Sequence, residues 1–145
     1  MSQFLAMYNQ MGAEQFAKGV SQVAPYFATI DPEFVDLRPG YAEVILRNQT
    51  KVHNHLGTVH AIAMCNAAEL VAGLTTDVSI PAGARWIPQG MEVKYLAKAK
   101  TDLRVKIEDQ AVDYSQPGEV VVPVAAYDSD DTKCFTAAIT MNIKH

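Results

Sequence analysis

Apolar residues in the first part of the chain recur at the spacing of an amphipathic helix. Between residues 2 and 18 they fall three or four positions apart, which places them along one side of an α-helix. Residues 21–32 contain two prolines and are predicted to be a connection. Two extended segments, 34–37 and 41–48, then flank Arg38-Pro39-Gly40. Since Pro-Gly suits the centre of a type II turn, these segments are predicted to form a β-hairpin.

Residues 58–74 are predicted to form a central helix that is buried on nearly every side. Apolar residues surround the helix axis instead of lining one stripe, and no Lys or Arg occurs from Val52 to Ala84. A helix that is apolar all round must be covered all round. Thr58, which follows Gly57, is a suitable N-cap because its hydroxyl can accept a backbone N–H of the first turn.

Four extended segments follow the central helix, at 84–98, 101–113, 119–128 and 133–144. Positions 91 to 107 alternate between apolar and basic residues, which is typical of antiparallel strands with one solvated face. The order of elements predicts a single α+β domain over residues 1–145. In it, a curved antiparallel sheet of about six strands, the last four in a meander, wraps the central helix. The open edges of such a sheet favour oligomerisation.

The composition is that of a folded chain without a basic excess. A length of 145 residues fits one domain, and 49% hydrophobic with 19% charged residues argues against disorder. The net charge of −4 argues against a dedicated nucleic-acid binder. The first basic residue is Lys18, and no apolar run approaches the ~20 residues of a membrane span, so neither a signal peptide nor membrane insertion is expected. Cys65 and Cys134 have no spacing motif and suit a reducing compartment, which predicts a cytoplasmic protein.

The strongest local motif runs from Asn54 to Glu69 and reads Asn-His-Leu-Gly-Thr-Val-His-Ala-Ile-Ala-Met-Cys-Asn-Ala-Ala-Glu. It resembles the strand-to-helix signature of the hotdog-fold thioesterases, in the branch that includes phenylacetyl-CoA thioesterase. In that signature an Asn, a Gly and then His-Gly-Gly lead into the central helix, and an acidic residue follows nine positions after the His. The matching residues are Asn54, Gly57, His60 and Glu69. Ala61-Ile62 stands in place of Gly-Gly, which looks more like a subgroup of hotdog domains of unknown function.

The resemblance implies an acyl-CoA thioesterase that acts as a dimer or a dimer of dimers, with no cofactor and no metal. Glu69 would serve as base or nucleophile, Asn54 would position water or substrate, and the Ala61 amide would form the oxyanion hole. Ala61 and Glu69 are eight residues apart, about 12 Å along a helix, so they cannot act together on one thioester. In the family resembled here, the carboxylate of one subunit faces the helix N-terminus of the other.

Further residues are predicted to face the substrate. They are His60, Gly57, Asn66, Gly73, Lys94 and Lys98. Gly73 lies one helical turn after Glu69, and its missing side chain would leave room beside the carboxylate. The lysines belong to a basic strand face, residues 94–106, that could bind the phosphates of coenzyme A.

Simpler interpretations stay open for several of these residues. Glu69 could be a structural carboxylate at a dimer seam, Asn54 could close its loop, and His60 could be structural. The basic face could be merely solvated, and Cys65 could be a small buried apolar residue. His53, His55 and His60 could suggest a metal, but the chain offers no tetrahedral ligand spacing.

Two other functions are compatible with a hotdog fold. The first is a non-catalytic module that binds an acyl-CoA or a fatty acid, and the Ala61-Ile62 replacement favours it. The second is a dehydratase or hydratase, which the absence of a His-Phe-Pro pattern disfavours. The sequence does not specify the acyl chain.

Overall fold

The computed structural model describes residues 2–145, which form helices and one six-stranded sheet. Helix α1 spans Gln3–Val23 and helix α2 spans Ala61–Ser79. The strands are β1 (Glu33–Arg38), β2 (Tyr41–Leu46), β3 (Arg85–Tyr95), β4 (Leu103–Ile107), β5 (Gly118–Tyr127) and β6 (Lys133–Lys144). Short 3-10 helices lie at Pro25–Ile30 and Thr50–Val52. The predicted α+β arrangement of a curved antiparallel sheet around a central helix is confirmed.

The strand order in the sheet is β1-β2-β4-β5-β6-β3, and every neighbouring pair is antiparallel. The predicted four-strand meander is therefore wrong at its first step, because β3 pairs with β6 at the far edge and not with β4. The alternation of apolar and basic residues correctly predicted the inner face of β4, where Leu103, Val105 and Ile107 are buried. In β3 the inner face is open, and Met91 and Tyr95 are 40% and 56% exposed.

The hairpin β1–β2 forms as predicted around Pro39-Gly40. Gly40 has φ +83°, the left-handed conformation that the second central residue of a type II turn requires. Along β2, the buried residues Ala42, Val44 and Leu46 alternate with partly exposed ones. This strand packs its buried face against α2.

Helix α1 covers the β1 edge of the sheet. The Phe16 ring is fully buried and meets the Phe34 ring of β1 edge-on, with 5.1 Å between centroids. The helix is interrupted at Gly12, where φ is 79°, and it continues to Val23 instead of ending at residue 18. Gly19, although a poor helix former, is accommodated inside the helix, and the first proline, Pro25, comes only after Val23.

Helix α2 is the core helix of the fold. Among the described residues it is the one helix long and apolar enough to cross a bilayer, with a mean hydropathy of 1.2 over its most apolar 18 residues. Of this 18-residue stretch, 72% is buried inside the protein. The core helix of a soluble protein has the same properties, so they are weak evidence of a membrane span. The helix extends three residues less at its start, and five residues more at its end, than the predicted 58–74.

Candidate active site

The loop before α2 is closed by Asn54. Its Oδ1 accepts the backbone N–H groups of Leu56 and Thr58 at 2.9 and 3.1 Å, and its Nδ2 donates to the Thr58 hydroxyl at 2.8 Å. Because Thr58 is held by Asn54, the prediction that it caps the helix is wrong. The N-cap is His60, whose Nδ1 accepts the Ile62 N–H at 3.0 Å. Helix α2 therefore begins at Ala61.

Gly57 shapes the same loop through its backbone. It has φ +76°, a left-handed conformation that other residues rarely adopt, and a Cβ at this position would meet nothing within 4 Å. The loop therefore requires glycine for its conformation and not for the close approach of another group. This places Gly57 in the shaping of the helix entry.

The backbone amide of Ala61 is available to a ligand. The carbonyl of His60 accepts the N–H groups of Ala63 and Met64 at 3.0 and 3.2 Å, and the His60 ring accepts that of Ile62. Within residues 2–145, the Ala61 N–H has no hydrogen-bond acceptor. The first amides of a helix have no partner inside it and stand at the positive end of its dipole. The Ala61 N–H can therefore stabilise a negative oxygen.

Glu69 lies half-buried in the middle of α2. With Ile62, Asn66 and Gly73 it forms a row one helical turn apart, which we call the open stripe. In the part of the chain that the structure describes, no cation or hydrogen-bond donor contacts its carboxyl. Burial raises the pKa of the Glu69 carboxyl. A desolvated carboxylate of this kind can act as a general base or a nucleophile.

Two aromatic residues of β3 flank Glu69, and the sequence analysis missed both. One turn before Glu69, Tyr95 lies near the thiol of Cys65, whose pKa burial raises. One turn after Glu69, the Trp86 ring covers Gly73, where a Cβ would lie 2.9 Å from Cη2. The space predicted beside Gly73 is thus filled by an indole. The chain has one Trp, at the start of a predicted strand, and that was the available signal.

Asn66 ties α2 to the 3-10 helix at Pro25–Ile30. It is buried, and its Nδ2 donates to the Thr29 hydroxyl at 3.1 Å. Its Oδ1 has no partner among residues 2–145. A cavity of about 260 Å³ at this end of α2 is lined in part by His60, Ile62 and Asn66. Asn66 and His60 are therefore brought together at the helix entry, one turn or more from Glu69.

Lys94 and Lys98 lie apart from Glu69 within one chain. Lys94 alternates with Val93 and Tyr95 along β3, so it stands on the sheet face away from α2. Lys98 follows the end of β3 and is exposed. Neither forms an ion pair within the described residues, whereas Arg104 on the same basic face donates to Asp131 at 2.6 Å. Both lysines can therefore still contact an anion.

Two of the three histidines before α2 have separate partners. His53 hydrogen-bonds Asn48, and His60 caps the helix. In the described chain, no three His, Cys, Asp or Glu side chains lie close enough together to hold a metal ion.

The fold is the hotdog fold. The chain belongs to the family described as domain of unknown function DUF4442, which it matches over residues 12–143. Among curated proteins, none matches this sequence.

Solved structures share the fold along most of their length. A crystal structure from a genomics programme is 56% identical, with a TM-score of 0.90 over 98% of this chain and 96% of that one. A thioesterase family protein from Silicibacter pomeroyi is 18% identical, with a TM-score of 0.75 over 88% and 94% of the two chains. The smu.793 protein from Streptococcus mutans, solved bound to acetyl CoA, is 17% identical, with a TM-score of 0.68 over 78% and 88%. At such low identities, the last two show the fold alone.

Proposed function

We propose that the protein hydrolyses the thioester of an acyl-coenzyme A, in a homo-oligomer whose active sites lie between subunits. The observation that carries this proposal is Glu69, a half-buried carboxyl with a raised pKa and no cation within the described chain. Charged groups are rarely buried without a partner unless they have a use. The shared fold with a thioesterase family protein, and with a protein solved bound to acetyl CoA, supports this class of substrate.

In the proposed reaction, the Glu69 carboxylate takes a proton from a water molecule that attacks the thioester carbonyl carbon. A carbon–oxygen bond forms, and negative charge develops on the carbonyl oxygen. The Ala61 N–H stabilises that charge. The carbon–sulfur bond then breaks, and the proton held by Glu69 passes to the departing thiolate. The products are a carboxylic acid and coenzyme A. Direct attack by the carboxylate, followed by hydrolysis of the anhydride, gives the same products.

A second copy of the chain is required to complete this site. Ala61 and Glu69 are separated by eight residues of α2, about 12 Å, so the amide must come from a different subunit. Apolar side chains along the open stripe and on the inner face of β3 are exposed in one chain: Ile62 is 53%, Met91 40% and Tyr95 56% exposed. A partner packed on this surface buries it and brings its own helix entry towards Glu69. This supports a dimer or a dimer of dimers.

Lys94 and Lys98 are proposed to contact the phosphates of coenzyme A. Exposed lysines without ion-pair partners suit that role, and salt screens such contacts. A rise of KM with ionic strength that is lost when both lysines are replaced measures their contribution.

A cytoplasmic location is part of the proposal. Cys65 and Cys134 are both free thiols, and free thiols are the usual state of cysteine in reducing compartments. Alkylation of Cys65 and Cys134 in unlysed cells measures their redox state, and oxidised thiols would contradict this location.

A non-catalytic module that binds an acyl-CoA or a fatty acid is the second candidate. The observation that favours it is Asn54, whose side-chain amide is engaged by its own loop and by Thr58. Its Oδ1 is thus taken up by the loop, and only the second N–H of its Nδ2 is left to contact a water molecule. The exposed Ile62 side chain also stands where the resembled thioesterases have glycine. Under this candidate, Glu69 is a structural carboxylate at the subunit seam.

Replacement of Glu69 by Gln separates the two candidates. The change keeps the size of the side chain but removes the base. We expect hydrolysis of a panel of acyl-CoAs, followed with a thiol-detecting dye, to fall by ~100-fold or more while the circular dichroism stays unchanged. Glu119→Gln, at an exposed position of β5, is the matched control and should keep the parental rate. Equal rates for Glu69→Gln and the parent would remove Glu69 from the chemistry.

A further inference from the structure

We infer that Trp86 determines the acyl-chain specificity of the proposed site, because its indole forms an apolar wall beside Glu69. This inference rests on the proposed function for its substrate class. It names a residue that limits how long an acyl group can lie against the carboxylate.

The position of the indole is fixed by Gly73. The tip of its six-membered ring lies over that glycine, and a Cβ there would be 2.9 Å from Cη2 and 3.6 Å from Cζ3. Gly73 follows Glu69 by four residues, so it is the next member of the open stripe, about 6 Å along the helix axis. The ring therefore closes the stripe one helical turn beyond the carboxyl.

The orientation of the indole leaves an apolar edge on the Glu69 side. Its Nε1 donates to Oδ1 of Asp77 at 2.9 Å. Asp77 lies one turn beyond Gly73, so the N–H edge points away from Glu69 and the opposite edge, with Cζ3, faces towards it. The polar atom of the ring is satisfied by Asp77, and this bond also restrains the ring. A ligand at Glu69 thus meets only C–H groups in this direction.

The other end of the site is more polar. There the Tyr95 hydroxyl and the Cys65 thiol flank Glu69. An apolar acyl chain gains most by lying against the indole, since burial of apolar surface against an aromatic ring is favourable. A restrained ring one turn away leaves room for a short acyl group and blocks a long one. A fixed wall in an apolar pocket discriminates by about 10- to 200-fold per methylene.

The direct test is a series of straight-chain acyl-CoAs of increasing length. Replacement of Trp86 by Leu keeps an apolar residue but removes the ring. We expect kcat/KM for the longer substrates to rise by about 10-fold or more relative to the shorter ones. Ile87→Ala is the matched control, because Ile87 is the next residue of β3 and is exposed on the other face of the sheet. It should leave the length profile unchanged. A folded, active Trp86→Leu protein with the parental profile overturns the inference.

A second measurement needs no variant. Trp86 is the one Trp of the sequence, so the protein's Trp fluorescence reports on this ring alone. We expect emission to change with non-hydrolysable acyl-CoA thioethers, in a chain-length-dependent way, and not with coenzyme A itself. If calorimetry shows that a thioether binds but the Trp emission does not change, the indole does not contact the acyl chain, which contradicts the inference. If the emission changes with chain length but the protein hydrolyses no acyl-CoA, the role of Trp86 is supported and the proposed hydrolysis is rejected. Failure to bind a thioether of any length rejects both.

Discussion

Glu69 and Leu70 are neighbours in sequence, yet they lie in two different regions of α2. Leu70 is 1% exposed and belongs to the side of the helix that packs into the core with Ala67, Val71 and Leu74. Glu69 belongs to the open stripe, where no described residue pairs with its carboxyl. The buried side holds the fold together within one chain. Along the open stripe, Ile62 is exposed and Glu69 is only half-buried within one chain, so the proposed site lies there.

The two edges of the sheet differ in the same way. The β1 edge is covered by α1 through the packing of Phe16 on Phe34. The β3 edge runs beside the open stripe and keeps Met91 and Tyr95 exposed. The edge covered by α1 thus lies at the opposite end of the sheet from the exposed β3 edge, where the partner is proposed to pack.

The largest expected effect is on the buried side. Leu70→Ala removes a fully buried side chain and leaves a cavity, so the free energy of unfolding should fall by about 2–5 kcal/mol. Denaturant unfolding of parent and variant at one protomer concentration measures it. A loss well below 1 kcal/mol would mean that the two sides of α2 do not differ in this way.

The next effect concerns the helix entry. Ala61→Pro removes the proposed oxyanion amide, and hydrolysis should fall by ~100- to 1000-fold. The backbone accepts proline here, because Ala61 is the first helical residue and His60 already has φ −64° and ψ 139°. Ala61→Gly keeps the amide and is the control, with a rate at or above the parental one. A folded Ala61→Pro protein with parental kcat removes this amide from the mechanism.

The smallest expected effect is on stability as a function of pH. Burial raises the pKa of Glu69, so its protonated form stabilises the fold at acidic pH, and that contribution is lost as the pH rises through the raised pKa. Gln does not titrate. The unfolding free energy of Glu69→Gln should therefore increase relative to the parent between acidic and neutral pH, and the difference should level off above the raised pKa. If the unfolding free energy of Glu69→Gln instead decreased relative to the parent over this pH range, the fold would stabilise Glu69 as an anion.

Much of the fold was predictable because hydrophobic periodicity reports directly on burial. The hairpin at Pro39-Gly40 and the core helix follow from local sequence alone. The pairing of β3 with β6 does not, because alternation defines the faces of a strand and not its neighbours. The start of α2 was misplaced because the Thr58 hydroxyl accepts a hydrogen bond from the side chain of Asn54, four residues earlier, and does not cap the helix.

The sequence predicted only those parts of the candidate site that lie in or next to α2. The spacing that selected Ala61 and Glu69 lies within a single segment, and both residues stay candidates with their roles untested. Trp86 comes from a strand that meets Gly73 only after folding, so the sequence suggested open space where the structure has an indole. Lys94 was expected near the site, but strand alternation places it on the other face of the sheet in one chain.

The most direct test of the shared site mixes two inactive chains. Glu69→Gln chains lack the carboxylate, and Ala61→Pro chains lack the amide. If each site takes its carboxylate from one subunit and its amide from the other, a mixed dimer has one intact site. Random assortment should then restore about a quarter of the parental activity. Mixed dimers that form, as shown by native mass spectrometry, and still hydrolyse no acyl-CoA would contradict the account.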